Sequence, residues 1–400
     1  MDFWKDEEGE MKTVGLLTLH RVMNCGSQLQ TYATVKAVES LGYACTVIDY
    51  LYPSPYHVMH SLGDENKYGG RLRSVKRILG WLGLLRLARF FTTWMKCRRA
   101  GVRFRRFADV RITRPYSHAR LRRNLPQFDI YLTGSDQTWN PRYLAKDFTY
   151  LLDFCGETAN RVAYAASFGC NALPDWCKAD YAKCLSRYSA ISVRESSGVG
   201  IVRDLVGKVA ADVLDPTFLL CREDWLPKAS QRVPSNRRFI FCYILSYVFN
   251  PFPYVIDLVR KLASDLNAEV VFYTGEVTDG LRASGFEIID AHVRPLPPDE
   301  FLEYFEKAEF VVTTSFHGTA FSANFKKNFY AILNPNATKD DRVRSFLSKV
   351  ELGSRGIEMG GDLSRLPSIE TDYTVAGEKI KTLRTRSMDY LEKALQEAAR

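Results

Sequence analysis

Nine cysteines are scattered along 400 residues without a single C-x-x-C pair. There are only six histidines, and none falls in an H-E-x-x-H or H-x-x-E-H pattern. Thiolate and helical-histidine metal sites need such spacings, so a metal centre is not expected. An odd, dispersed set of thiols fits a reduced cytosolic protein better than a disulfide framework. No window reaches the ~18 apolar residues of a membrane-spanning helix; the nearest, Ile78 to Phe91, is interrupted by Arg86 and Arg89. The opening residues, Met1 to Glu8, are acidic and lack the apolar stretch of a signal peptide. A cytoplasmic protein is expected. G-x-G-x-x-G, internal repeats and low-complexity segments are missing too, which removes the dinucleotide-binding fingerprint and the solenoids. Acidic residues are scarce in one place. Between Arg71 and Arg123 there are 17 Lys/Arg and one acid, Asp109, a local charge of +16. Since the whole chain carries +9, everything outside that segment carries −7.

What remains is ordinary globular material: 46% hydrophobic, 25% charged and 13% aromatic residues. Thr13–Leu19 is a short apolar run of the kind found in buried parallel strands. A turn at Asn24–Ser27, a helical pattern from Leu29 to Leu41 and a strand at Cys45–Tyr50 complete the start of a βαβ unit. After the basic segment, strands are predicted at Phe128–Leu132, Arg161–Ser167, Ala190–Val193 and Val209–Leu214. Each ends in polar residues, where open α/β sheets bind ligands. Residues 221–238 are polar, with prolines at 227 and 234, and read as an interdomain linker. A second series follows: strand 239–245, helix 253–266, strands 269–273 and 287–290, helix 298–307 and strand 310–313. An amphipathic helix from Thr374 to Ala399 closes the chain. The expected fold class is α/β, with two Rossmann-like domains facing a cleft and a long C-terminal helix. The domains are placed at 1–220, with a basic helical insertion at 70–125, and at 238–370, followed by the helix 371–400.

His317 is the sharpest chemical candidate. It lies between a buried strand and a helix start, flanked by Ser315 and Gly318, where backbone N–H groups form an anion site. An imidazole there could act as general acid or base near neutral pH; the alternative is a histidine that merely caps the helix. Arg194 offers a planar fork to a carboxylate or phosphate, or else pairs with its neighbour Glu195. Asn24, Gly26, Ser27 and Gln28 form a βα turn that could bring amides to a ligand, or a tight turn with Gly26 at positive φ. Ser135, Asp136 and Gln137 could supply a carboxylate base and donors, or an ordinary Asx turn. Trp139 could stack on a sugar or lie in the core.

Five segments, in order, carry a family resemblance: Asn24-x-Gly26-Ser27-Gln28-Leu29-Gln30, Gly134-Ser135-Asp136-Gln137-x-Trp139-Asn140, Ser192-Val193-Arg194-Glu195, Asp215-Pro216-Thr217 and Ser315-Phe316-His317-Gly318. From about residue 12 to 335 the chain resembles the polysaccharide pyruvyl transferases. The resemblance implies a glycosyltransferase-B-like fold with a donor-binding C-terminal domain and an acceptor-side N-terminal domain. It implies phosphoenolpyruvate as co-substrate, without metal or cofactor. The acceptor would be a hexose of a cell-surface (capsular or exopolysaccharide) precursor, and the product a pyruvate ketal. By the same resemblance His317 is the histidine of the donor site and Arg194 binds the anionic donor, with Ser315 and Gly318 beside His317; the donor's chemistry makes His317 the first choice of acid, with Asp136 second and the candidate base. Asn24, Gly26, Ser27, Gln28, Ser135, Gln137 and Trp139 would serve the acceptor. Many members carry an arginine two residues before the histidine, where this chain has Ser315. The helix N-terminus at Ser315–Gly318 with its dipole, Arg294, Lys326 and Arg342 or Arg344 are the candidates to replace it.

The basic segment suits nucleic acid or an anionic membrane surface, or is a solvated face pairing with the acidic remainder. No DNA- or RNA-binding motif accompanies it, so nucleic acid is not expected. Trp81, Leu82, Leu84, Leu85, Phe90, Phe91 and Trp94 would give the cations an apolar companion face. A polyprenyl-diphosphate-linked acceptor at the inner face of the cytoplasmic membrane fits that composition. The rival functions are a nucleotide-sugar glycosyltransferase on the same fold and a non-catalytic glycan- or lipid-binding module.

Overall fold

The computed structural model describes residues 11–53, 57, 84–144, 146–234, 236–246, 249–335 and 342–400. The chain divides into two units, Met1–Asp212 with Tyr390–Arg400, and Val213–Asp389. The first unit is built on β1 (Thr13–Leu17), β2 (Ala44–Val47), β3 (Ile130–Thr133), β4 (Asn160–Ala166), β5 (Ala190–Val193) and β6 (Ala211–Asp212). All pairings are parallel, in the order β2-β1-β3-β4-β5-β6. The apolar runs of the sequence arise because such sheets are covered on both faces. Every residue of β3 is buried, and so are four of the five in β1.

The second unit repeats the plan with β7 (Phe239–Ile244), β8 (Glu269–Thr274), β9 (Glu287–Asp290), β10 (Phe310–Thr313), β11 (Asn328–Leu333) and β12 (Gly356–Glu358). Their order, β12-β11-β10-β7-β8-β9, is the doubly wound arrangement, again wholly parallel. In such sheets the ligand crevice opens where strand order reverses. That point falls between β1 and β3 in the first unit and between β7 and β10 in the second. The segments holding Ser27 and Asp136, and the one holding His317, leave from those positions.

Three expectations need correction. The presumed linker, residues 221–238, lies inside the second unit: Trp225 is fully buried, 5.4 Å from the Phe321 ring, with its Nε1 donating to Thr217 O. The strand expected at Val209–Leu214 shrinks to two residues, and Val209 is 93% exposed. Strands β11 and β12 are additional to the series expected from the sequence.

Of the basic segment, the apolar positions Val75 to Leu82 and Trp81 lie outside the described residues. The helix Leu84–Ala108 packs on the first unit through Cys97, Ala100, Phe104 and Ala108, one stripe at helical spacing. Arg105 Nη2 reaches Asp49 Oδ2 at 2.6 Å, and Arg103 Nε donates to Gln28 Oε1 at 2.9 Å. Burial opposes charge on Asp49, but hydrogen bonds from His20 and Arg21 outweigh it and hold the carboxyl well below its usual range.

Further along, His118 Nδ1 meets Asp147 Oδ1 at 3.1 Å, and Arg122 pairs with Asp153. The Asp147 hydrogen bond raises the His118 imidazole above its ordinary value of about 6.5. A raised folded-state value adds stability that is complete below the unfolded value and disappears as pH climbs through the raised one. Thermal melting between about pH 6 and pH 8 should show wild type losing more stability with rising pH than His118→Gln. Equal slopes would contradict the assignment.

Candidate active site

Asp136 follows β3 with φ of 71°, in the left-handed region, which costs a non-glycine residue roughly 1–2 kcal/mol. The turn is held because its carbonyl accepts from Thr138 N at 2.7 Å and Ser167 N at 3.1 Å. The carboxylate is thereby fixed among three partners. Oδ2 accepts from Ser27 Oγ, in the first turn of the helix Cys25–Ser40. Oδ1 accepts from Gln137 N at 2.8 Å and lies 3.5 Å from Arg194 Nη2. Arg194, directly after β5, places its Nε 3.3 Å from Glu195 Oε1, which also accepts from Ser167 Oγ. The Arg194 and Asp136 side chains are 1% and 9% exposed. The guanidinium therefore sits between two carboxylates, and these three charged groups together carry one negative charge. The ion-pair alternative raised by Glu195 is what the geometry displays.

In the second unit, the end of β10 is stapled to β7 by two threonines. Thr313 Oγ1 donates to Tyr243 O at 2.7 Å and accepts from Ser315 N at 3.0 Å. Thr314 Oγ1 donates to Leu245 O and accepts from Leu245 N. Ser315 is then the N-cap of the helix Phe316–Asn324, with no side-chain cap bond, so the first-turn amides keep their anion-binding capacity. His317 lies in that first turn, 5% exposed. Its Nε2 is 3.8 Å from Asp215 Oδ2, on a carboxylate whose Oδ1 accepts from Thr217 N and Oγ1. Asp215 can orient the ring and balance its charge when protonated. Gly318 is required by close approach: a Cβ would sit 2.9 Å from Thr313 Cβ and closer still to its Oγ1. Gly318→Ala should push Thr313 off Tyr243 and cost about 1–3 kcal/mol, measurable by denaturant unfolding. An unchanged midpoint would contradict this packing.

The remaining predicted site residues separate into groups. Asn24 caps the helix Cys25–Ser40, accepting from Ser27 N at 3.3 Å. Gly26 is in that helix's first turn, not in a positive-φ turn. Gln28, fully buried, donates to His20 O and Ala100 O and anchors the basic helix. Ser135 has no exposure, and its carbonyl accepts from Thr18 Oγ1. Trp139 is core: it has no exposure, and its Nε1 donates to Tyr150 O. Burial and these hydrogen bonds give Gln28, Ser135 and Trp139 structural roles. Gln137 is half-buried and accepts from Asn140 Nδ2 at 2.6 Å.

Among the cations, Arg294 pairs with Glu300, and Lys326 lies beyond the opposite end of the helix from His317. Arg344 is taken by Asn334 O and Glu358. Arg342, 8% exposed, begins the helix Arg342–Lys349, whose Phe346 ring is 6.0 Å from Phe316. Arg342 and Arg344 share the helix that packs on the His317 turn, and of the two only Arg342 is buried. A cavity of about 710 Å³ in the second unit opens beside Asn324, Lys326 and Arg384, away from the His317 end of the helix. Among the described residues no group of three or more His, Cys, Asp or Glu could hold a metal ion.

Ser167 and the Asp215–His317 pairing were not among the sequence-based candidates. The first had a signal, a serine at a strand's carboxyl end; the second had none, because the partners are distant in sequence.

Among curated proteins, none matches the sequence. Solved structures do. A UDP-N-acetylglucosamine 2-epimerase from Listeria monocytogenes superposes with a TM-score of 0.50 at 11% identity, covering 96% of this chain and 90% of its own. The MnaA–UDP complex from S. aureus gives 0.48 at 11%, with 96% and 91% covered. The UDP-GlcNAc 2-epimerase of Methanocaldococcus jannaschii, bound to UDP-GlcNAc and UDP, gives 0.44 at 11%, with 93% and 99% covered. At such identities the likeness is one of fold: two parallel-sheet α/β units of the glycosyltransferase-B type with a long C-terminal helix. Function is indicated by the family model for polysaccharide pyruvyl transferases, which matches residues 24–336 and so takes in all five motif segments; the chain belongs to that family.

Proposed function

We propose that the enzyme transfers the enolpyruvyl group of phosphoenolpyruvate to a hexose of a cell-surface polysaccharide precursor, closing a pyruvate ketal and releasing phosphate. The observation carrying this reading is the His317 turn: a buried imidazole, backed by Asp215, in the first turn of a helix that leaves the sheet at its strand-order reversal.

The enol phosphate reacts once its methylene carbon is protonated, which leaves positive charge on the carbon bearing the phosphate. His317 delivers that proton, with Asp215 balancing the imidazolium. A sugar hydroxyl adds to the cationic carbon and phosphate departs. A second hydroxyl of the same hexose then closes the ketal. The atoms balance: of the two hydroxyl protons, one replaces the proton given to the new methyl group and the other leaves on phosphate. Asp136 is the base that receives a hydroxyl proton, and Arg194 and Ser27 hold its carboxylate in place. The donor's phosphate and carboxylate call for positive potential, for which the open amides at Phe316–Gly318 and Arg342 are the candidates. Asp136, Arg194 and Glu195 carry net negative charge and suit hydroxyls better than an anion.

Among the described residues no helix is long and apolar enough to cross a membrane. We place the enzyme in the cytoplasm, acting on an acceptor carried by a polyprenyl diphosphate. Thermal-shift titration separates the donor classes. Phosphoenolpyruvate should raise the melting temperature of wild type and not of Arg342→Ala. Stabilisation by a nucleotide sugar, and none by phosphoenolpyruvate, would replace this reading with a glycosyltransferase.

A further inference from the structure

The helix Leu84–Ala108 has two faces of opposite character. Cys97, Ala100, Phe104 and Ala108 are buried against the first unit, and Arg105 and Arg103 are committed to Asp49 and Gln28. On the other side Phe91, Met95, Arg98 and Val102 follow one another at spacings of four, three and four residues, which sets them on a single stripe. Phe91 is 56% exposed, Trp94 47%, Met95 44% and Val102 44%. These are four of the large apolar side chains that the fold leaves in water. Scattered singly they would need no explanation; aligned on one helix face they mark an interaction surface. Cations accompany the stripe. The Arg98 guanidinium lies 5.5 Å from the Trp94 ring centroid, and Arg99 and Arg106 are exposed. The only acid from Arg71 to Arg123 is Asp109.

From this we infer that the outer face of the helix Leu84–Ala108 docks the enzyme on an anionic phospholipid surface. An apolar stripe bordered by arginines, with an aromatic ring at its edge, is the composition of a helix lying in the plane of a bilayer interface. Its charge complements acidic headgroups, each nearby Lys or Arg adding attraction. The helix does not span: its arginines and its packed inner face forbid it. The inference goes beyond the donor chemistry and stands independently of it, because it concerns where the enzyme works.

The test uses the full chain and co-sedimentation with vesicles of phosphatidylcholine alone and with about one third phosphatidylglycerol. Wild type should bind the acidic vesicles, release from them as salt is raised, and ignore the neutral ones. Arg98→Glu/Arg99→Glu/Arg106→Glu should weaken partitioning more than tenfold, and Phe91→Ser/Met95→Ser should weaken it at every salt concentration. Bromolipid quenching of tryptophan fluorescence should fall in Trp94→Phe, a variant that keeps the fold. No binding to acidic vesicles overturns the inference, as does binding indifferent to both sets of substitutions. Stronger, salt-sensitive binding to an oligonucleotide than to vesicles overturns it in favour of nucleic acid. Phosphate release with a water-soluble acceptor depends only on the catalytic reading, so failure of one proposal is distinguishable from failure of the other.

Discussion

His317→Ala is expected to lower acceptor-dependent phosphate release from phosphoenolpyruvate by about 10²- to 10⁴-fold, the usual contribution of a positioned acid. The enol phosphate is inert until a proton reaches its methylene carbon, and no other group in the His317 turn can supply one. Substituting this buried residue also removes Asp215's neighbour at 3.8 Å, so a second variant is needed to separate chemistry from folding. His317→Gln keeps much of the volume but carries no proton to give at neutral pH. It should melt close to wild type and remain as inactive as the alanine variant. Asp215→Asn leaves the imidazole in place without its carboxylate. It should lose less activity and shift the pH profile, because the charged form of His317 loses its counterion. If His317→Gln turns over near the wild-type rate, the acid lies elsewhere.

The second large effect is on stability. Arg194→Met should destabilise the first unit by about 3–5 kcal/mol, the cost of breaking a buried ion pair on one side. The reason is geometric. Asp136 and Glu195 would both keep their buried carboxylates, with Ser27 and Ser167 still donating but without the guanidinium between them. Arg194→Met/Asp136→Asn should recover part of that loss, since the neutral amide no longer needs a cation; the two substitutions are in contact and will not be additive. Unfolding in denaturant measures both. A cost below 1 kcal/mol for Arg194→Met would mean that the guanidinium is not the support of Asp136 that its position indicates.

The sequence carried most of the architecture because doubly wound sheets write themselves as apolar runs with polar ends. Strands β1 to β5 and β7 to β10 are of this kind. β11 was obscured because Phe316–Asn324 is buried on every side and shows no charged face, so helix and strand merge into one stretch interrupted only by Lys326, Lys327 and Asn328. Periodicity has nothing to grip there. β12 has three residues and no pattern at all. The polar ends of the strands pointed to Asp136, Arg194 and His317; Asp136 and His317 follow the strands at the strand-order reversals, and Arg194 follows β5, two strands from β3. A polar residue in such a segment can equally turn inward, as Gln28 and Ser135 do, and only packing tells the cases apart. Pairings such as Ser27–Asp136, 109 residues apart, are products of strand order.

In the proposed reaction a proton enters the donor's methylene carbon and two hydroxyls of one sugar close on its neighbour. Running the reaction in deuterium oxide with phosphoenolpyruvate and a hexose-terminated acceptor tests this directly. The expected product is a pyruvate ketal whose methyl group carries one deuterium, formed in equal amount to phosphate and suppressed in His317→Gln. A ketal methyl without deuterium, or phosphate released with no ketal on the acceptor, would contradict it.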